Sequence, residues 1–331
     1  MWNRKEEAMS KIAKKIGIGI LVIICILLII ILISFINHKV KLKKESKLFE
    51  PLGKMVKVNG HSMHVYTEGK GEVTLVFMSG GGTCSPTLDF KSLYSRLSGD
   101  YRIAVVEKAG YGFSEIIDMP RDIDTVLEET RKALKLAGEK APYVLFPHSM
   151  SGIEALYWVE KYPDEVVGIV GLDPAVPKAY DNYPMPNKIV LNLSQFVAKI
   201  GLTRFIPSIC NSSAAIQQGS LTEHEKEVYR AIFYRRTATK TMLNELKCIQ
   251  ESAKKINKMG IPEVPMLFFI SNGNGTGWGK EQWQQSLKEY ISKVSISQQV
   301  LFDCGHYIHD YEYERIALES KEFIKNIVLA K

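Results

Sequence analysis

Cysteine is scarce, and what there is has no pattern: Cys25, Cys84, Cys210, Cys248 and Cys304 are scattered, with no C-x-x-C pair and no Cys/His spacing of the kind that holds zinc. Disulfides are not indicated by that spacing, and a chain of 331 residues does not need them to build a core. A phosphate-binding P-loop is excluded, because the run Gly80-Gly81-Gly82 has no Gly-Lys-Ser/Thr behind it and no helix directly following. There is no internal repeat, and no low-complexity tract beyond one apolar run. Net charge is also missing where a nucleic-acid binder would carry it. The chain totals +7, but residues 1–49 hold ten Lys/Arg against three Asp/Glu, which leaves thirty-three of each sign beyond residue 49. The basic excess lies beside the apolar run, where it suits anionic lipid headgroups, and no nucleic-acid partner is expected.

That run, Ile16 to Asn37, is 22 residues long and almost wholly apolar. At about 1.5 Å of rise per residue, one helix of this length crosses a hydrocarbon layer of roughly 30 Å. A cleaved secretory signal has a shorter apolar core, about 7–15 residues, and closes on a small-x-small site. This run ends in Ser34-Phe35-Ile36-Asn37 without one, so an uncleaved anchor is expected. Lysine and arginine flank both ends, and the positive-inside rule does not choose between them. A short basic head more often exports the chain behind it, which places the globular part outside the cytoplasm. The chain then divides into a basic head (1–15), a membrane helix (16–37), a basic linker (38–53) and a globular domain (54–331).

Within the globular part, short apolar runs alternate with helical patterns, the signature of a mostly parallel sheet covered by helices. MVKVNGHSMHVYTEG (55–69) reads as a hairpin turning at Asn59-Gly60. Buried strands are expected at 73–79, 101–108, 143–147, 166–173 and 264–271, with a weaker one at 298–303. Helical spacing marks 122–138, which closes on Gly138, and 152–162. Some ninety residues between Asp173 and Val264 contain no strand-like run, only helical candidates near 187–200 and 221–256. Set between two strands of one sheet, the segment 178–262 reads as a helical cap over the sheet's carboxyl edge.

Chemistry is suggested by LFPHSMSG, residues 145–152. Serine is a poor nucleophile at neutral pH and needs a base within hydrogen-bond reach, with an orienting group behind that base. A strand-to-helix turn with small residues two before and two after the serine projects its oxygen above the sheet. Here those flanks are Pro147 and Ser151, where glycine is usual. Choosing Ser151 instead would place Ile153 at a position that needs a small residue, so Ser149 is the candidate nucleophile. MSGGGT (78–83), at the end of an earlier strand, offers the Gly81 amide to pair with that of Met150 on a developing oxyanion. His306, in DCGHYIHD past the last strand, reaches the same edge and is the candidate base. His309 reads as a structural neighbour, and His148 as pointing away from the nucleophile.

The order of elements from residue 55 onward, with SGGG, AGYGFSE (109–115), HSMSG and CGHYIH, resembles the α/β-hydrolase superfamily. The resemblance covers nearly all of the chain outside the apolar run. It implies an eight-stranded sheet with helices on both faces, a cap before the seventh strand, and no cofactor. The family commonly carries its acid after the seventh strand, but SNGNGTGWGKEQW (271–283) offers only Asn272 and Asn274 before Glu281. Some members place the acid after the sixth strand, where Asp173 closes VVGIVGLDP, and the order Ser149, Asp173, His306 then matches the family's. Asp173 is therefore the expected acid, with Asn272 as an alternative orienting residue that could not stabilise an imidazolium by charge. The expected protein is a membrane-anchored serine hydrolase cleaving a small-molecule ester, or an amide. A binding module that keeps the fold without the chemistry is the alternative from another class.

Overall fold

Eight strands form one sheet in the order β1-β2-β4-β3-β5-β6-β7-β8 in a computed structural model that describes residues 2–181 and 183–329. They are β1 Lys54–Val58, β2 His61–Glu68, β3 Thr74–Met78, β4 Arg102–Glu107, β5 Tyr143–Ser149, β6 Val166–Pro174, β7 Met266–Ile270 and β8 Ser297–Leu301. Strand β2 runs antiparallel to both β1 and β4, and every other pairing is parallel. The expected hairpin is β1–β2, with Asn59 and Gly60 at φ 49° and 92°, the positive values that a tight two-residue turn demands.

Both faces of the sheet are covered. Along β3, Leu75 and Phe77 join one core with α2 (Lys91–Leu97) and α9 (Tyr313–Leu329), while Val76 and Met78 face the other. That second core includes Leu127 and Leu134 of α3 (Ile123–Ala137) and Ile153 and Trp158 of α4 (Ser151–Lys161). The alternation is the period-2 geometry of a strand buried on both sides, and it explains why β3, β5 and β7 read as continuous apolar runs. Helix α3 starts on Asp122, whose side chain accepts from the Thr125 amide, and stops where Gly138 takes φ 94°.

Between β6 and β7 the chain forms α5 (Lys188–Lys199), α6 (Glu223–Arg236) and α7 (Lys240–Asn257). The helical stretch expected near 221–256 is broken at Thr237–Ala238: Ala238 takes φ 50°, and Thr239 caps α7 by accepting from the Met242 amide. Helix α8 (Lys280–Ile291) follows β7. At the N-terminal end, α1 runs from Trp2 to Lys44, so the apolar run and the first basic residues after it are one continuous helix. It is the helix among the described residues long and apolar enough to cross a membrane. Its last turns, and Glu45 directly after them, lie against the cap. The Ser34 hydroxyl donates to the Ile200 carbonyl at 2.8 Å, Arg204 donates to His38 at 2.8 Å, and Arg204 grips Glu45 at 2.7 and 2.8 Å.

Candidate active site

Strand β5 ends in a forced turn. Ser149 has φ 55°, a value that costs a non-glycine residue energy and that the surrounding packing must impose. Pro147 pairs with Met78 of β3, and towards β6 it leaves a gap in the ladder between the Leu145–Ile169 and His148–Leu172 pairs, as a residue without an N–H does, with the register unchanged across it. The Ser151 hydroxyl lies 2.6 Å from the Met78 carbonyl and 2.9 Å from that of His148, buried and committed to the turn. Close approach is most severe one residue further on, where a Cβ on Gly152 would stand 2.3 Å from the Ala175 carbonyl oxygen.

The glycine run presses on this turn from β3. A Cβ on Gly80 would sit 2.8 Å from that of Ser149, and one on Gly81 would sit 3.1 Å from the Met150 methyl group. The backbones of Gly81 and Met150 thus meet beside Ser149, with Met150 at the N-cap of α4. Gly80, Gly81, Ser149, Met150 and His306 all line one cavity of about 440 Å³. Its far wall comes from the cap and the loop after β7, through Tyr180, Tyr183, Leu243, Leu246 and Trp278, with the Tyr183 and Trp278 rings stacked at 4.6 Å.

His306 is held from three directions. Its amide donates to Asn274 at 2.9 Å, its carbonyl accepts from His148 Nε2 at 3.1 Å, and its Nδ1 lies 2.6 Å from Asp173 Oδ2. Asp173, wholly buried at the end of β6, accepts four hydrogen bonds. The Ser271 amide and Trp283 Nε1 reach Oδ1, both at 2.8 Å, and the Ser271 hydroxyl reaches Oδ2 at 2.6 Å beside His306. Amide and indole N–H groups are obligate donors, and four donors fill the four lone-pair sites of an ionised carboxylate. The carboxylate fixes the proton of neutral His306 on Nδ1 and leaves Nε2 with the free lone pair.

Asn272, the alternative orienting residue, does not reach His306. Its side chain donates to Asp303 at 3.3 Å and accepts from the Asn274 amide at 3.1 Å, closing its own turn. A short side chain with local backbone partners is used up there. His148 is buried; burial, followed by the charges of His306 and His309, pushes its pKa well below the ordinary imidazole value. It serves as a neutral donor to the His306 carbonyl. His309, three residues past His306, is driven down to about 3 by burial and then by His306. Ser271 and Trp283, which secure the acid, were not foreseen from the sequence. Ser271 directly precedes Asn272, but nothing in the chain around Trp283 points to Asp173.

The sequence profile described as the alpha/beta hydrolase fold matches residues 73–313, and the chain belongs to that family. A relative from Bacillus subtilis (strain 168), the uncharacterized protein YbdG, is 39% identical over 298 residues, spanning 88% of this chain and 92% of its own. Solved structures share the fold at low identity. A serine hydrolase involved in carbazole degradation has a TM-score of 0.59 at 15% identity, covering 83% of this chain and 99% of that one. A thermophilic esterase from Thermogutta terrifontis has 0.61 at 15%, with 83% and 99% covered. A bromoperoxidase from Bacillus anthracis has 0.62 at 14%, with 82% and 99% covered.

Proposed function

We propose that this protein is a membrane-anchored serine hydrolase that cleaves a carboxylic ester through an acyl-enzyme on Ser149. The observation that carries the reading is the 2.6 Å contact between His306 Nδ1 and a saturated, buried Asp173, in a cavity wall shared with a serine at φ 55°. His306 Nε2 takes the hydroxyl proton as Ser149 Oγ bonds to the ester carbon, and Asp173 stabilises the imidazolium so formed. The amides of Gly81 and Met150 donate to the oxyanion. Collapse breaks the bond to the alcohol oxygen, which leaves with the proton from His306. Water then gives its proton to His306 and attacks the acyl carbon, and the acid departs as Ser149 recovers its hydrogen. The apolar, aromatic wall of the cavity suits an acyl group.

The anchor reading is supported by the packing of α1. Ser34, inside the apolar run, donates to the cap at Ile200, and His38 and Glu45 directly after the run continue that contact, so cleavage after the run would remove the Ser34 bond and the helix that leads into it. With its short basic head inside, the domain stands outside the cytoplasm. A fluorophosphonate probe tests the chemistry: wild type labels and Ser149→Ala does not, whereas a folded wild type that never labels removes the proposal. A panel of esters and amides then ranks leaving groups, and protease access on intact cells reads the orientation, protection counting against export.

A further inference from the structure

Helix α5 carries its apolar residues on the wrong side for a free-standing domain. Ile189, Val190, Leu193 and Phe196 fall on one face and are turned outward, Ile189 being 74% exposed, while Leu191 is the buried residue of the helix. Phe205 and Ile206 extend the same outward apolar surface at 58% and 54% exposure. A contiguous patch of this kind on a soluble protein marks a docking surface.

Its position relative to α1 says what docks there. Ile200, which directly follows α5, accepts from Ser34, three residues inside the end of the apolar run. At 1.5 Å per residue that contact lies about 5 Å below the level at which the run ends. A helix lying in the boundary between headgroups and acyl chains sinks its apolar face about 5–10 Å. The one polar group of α1 at that depth, the Ser34 hydroxyl, is satisfied by the Ile200 carbonyl, as a low-dielectric medium requires. Lys188 and Lys199 stand at the two ends of α5, and Lys39 and Lys41 follow the run on α1, a basic rim suited to anionic headgroups.

The same region communicates with Ser149. A groove of about 560 Å³ opens between α1, α5 and the start of α7, bounded by Leu42, Gln195 and Lys199. Thr237 and Ala238 line this groove and also the cavity of Ser149, so a two-residue wall separates them. That wall is the break between α6 and α7, where Ala238 holds a positive φ.

We infer that the outer face of α5, with Phe205 and Ile206, is embedded in the bilayer that α1 spans, and that the substrate is a lipid-dissolved acyl ester passing the Thr237–Ala238 wall to reach Ser149. This rests on the anchored-hydrolase reading and names its substrate class.

The test uses the full chain in phosphatidylglycerol/phosphatidylcholine vesicles. In a Trp2→Phe background, Phe196→Trp is expected to add fluorescence that lipids brominated on the acyl chain quench, while Leu318→Trp, on α9 at 69% exposure, adds fluorescence that they do not. Protein that floats with vesicles but shows equal quenching at the two sites overturns the embedding and leaves the anchor standing. Protein that does not float overturns both. The second arm compares wild type with Ile189→Glu/Leu193→Glu/Phe196→Glu on a long-chain ester in the bilayer and on a water-soluble acetate ester. Hydrolysis in the bilayer should fall roughly tenfold or more with the soluble rate kept. Equal loss on both, or on neither, overturns the substrate class. If neither ester is turned over by wild type, the hydrolase reading fails and the substrate class with it, while the quenching arm still decides the embedding.

Discussion

The sheet and the cap treat apolar side chains in opposite ways. In β3, β5 and β7 successive residues are buried on alternate faces, because helices cover both sides. In α5 one apolar residue is buried and four of its neighbours face outward. The inner strands of the sheet find their partners within the chain and form a frame with the candidate reacting groups at its carboxyl edge. The cap leaves an apolar face uncovered, and that face is where the proposed bilayer contact falls. On the proposed reading chemistry and access belong to different layers, and substitutions should separate them.

The sharpest separation comes from the edge. Ser149→Ala is expected to lower ester turnover roughly 10⁴–10⁶-fold while the thermal midpoint stays near wild type, measured by hydrolysis and calorimetry. Asp173→Asn should follow, at roughly 10³–10⁴-fold in kcat, since the neutral amide cannot hold His306 in the same tautomer. Asn272→Ala should leave the rate near wild type, and equal losses for the two would return the orienting role to Asn272. The seam between the layers comes next. Lys108 of the sheet edge pairs with Glu245 of α7, which also accepts from Tyr111 at 2.7 Å, all three buried. Glu245→Ala should cost on the order of 3 kcal/mol in denaturant unfolding, by leaving the buried Lys108 with Glu154, at 4.0 Å, as its remaining carboxylate.

A pH effect lies behind the site. Burial, with Glu107 adding to it, pushes Asp89 up to about 8, although the Tyr229 hydroxyl donates to it and opposes the shift. The folded chain keeps a proton that the unfolded chain releases above the usual carboxylate pKa. The stability this contributes is complete below that usual value and is lost as pH rises toward 8, at up to about 1.4 kcal/mol per pH unit. Asp310, also raised by burial and by Asp89, works in the same direction. Asp89→Asn should flatten the decline between pH 5 and 8 in urea melts, and an unchanged slope would place it elsewhere. Smallest of all, Pro147→Gly should keep ester turnover within about twofold, because the proline stiffens a turn that Gly152 and Ser151 already hold.

The frame was legible because a strand buried on both faces needs an apolar run and punctuation, and VTLVFMS, YVLFP and VVGIVGLD have both. Ser149, His306 and Asp173 were legible from their places at the ends of β5, β8 and β6, since the topology carries those ends to one edge. What fixes Asp173 was not. Ser271 and Trp283 act through contacts 98 and 110 residues away in the chain, with no local pattern to betray them. Helices α2 and α8 were not singled out either. The break in the cap was not read from the sequence, where one helical stretch stands near 221–256, although Thr239, which caps α7, lies within it. The reach of α1 was hidden for a different reason: composition marks where a helix leaves an apolar medium, and says nothing of what its last turns touch.

Those last turns carry a mechanical consequence. Arg204 and Arg235 both hold Glu45, so the domain is joined to α1 through a braced corner, where a flexible tether would let it swing. A spanning helix longer than the local hydrocarbon layer tilts to fit it. With α1 spanning the bilayer as proposed, the braced junction would pass such a tilt on to the whole domain. Membrane thickness would then set the angle at which α5 meets the lipid, and with it the height of the Thr237–Ala238 wall.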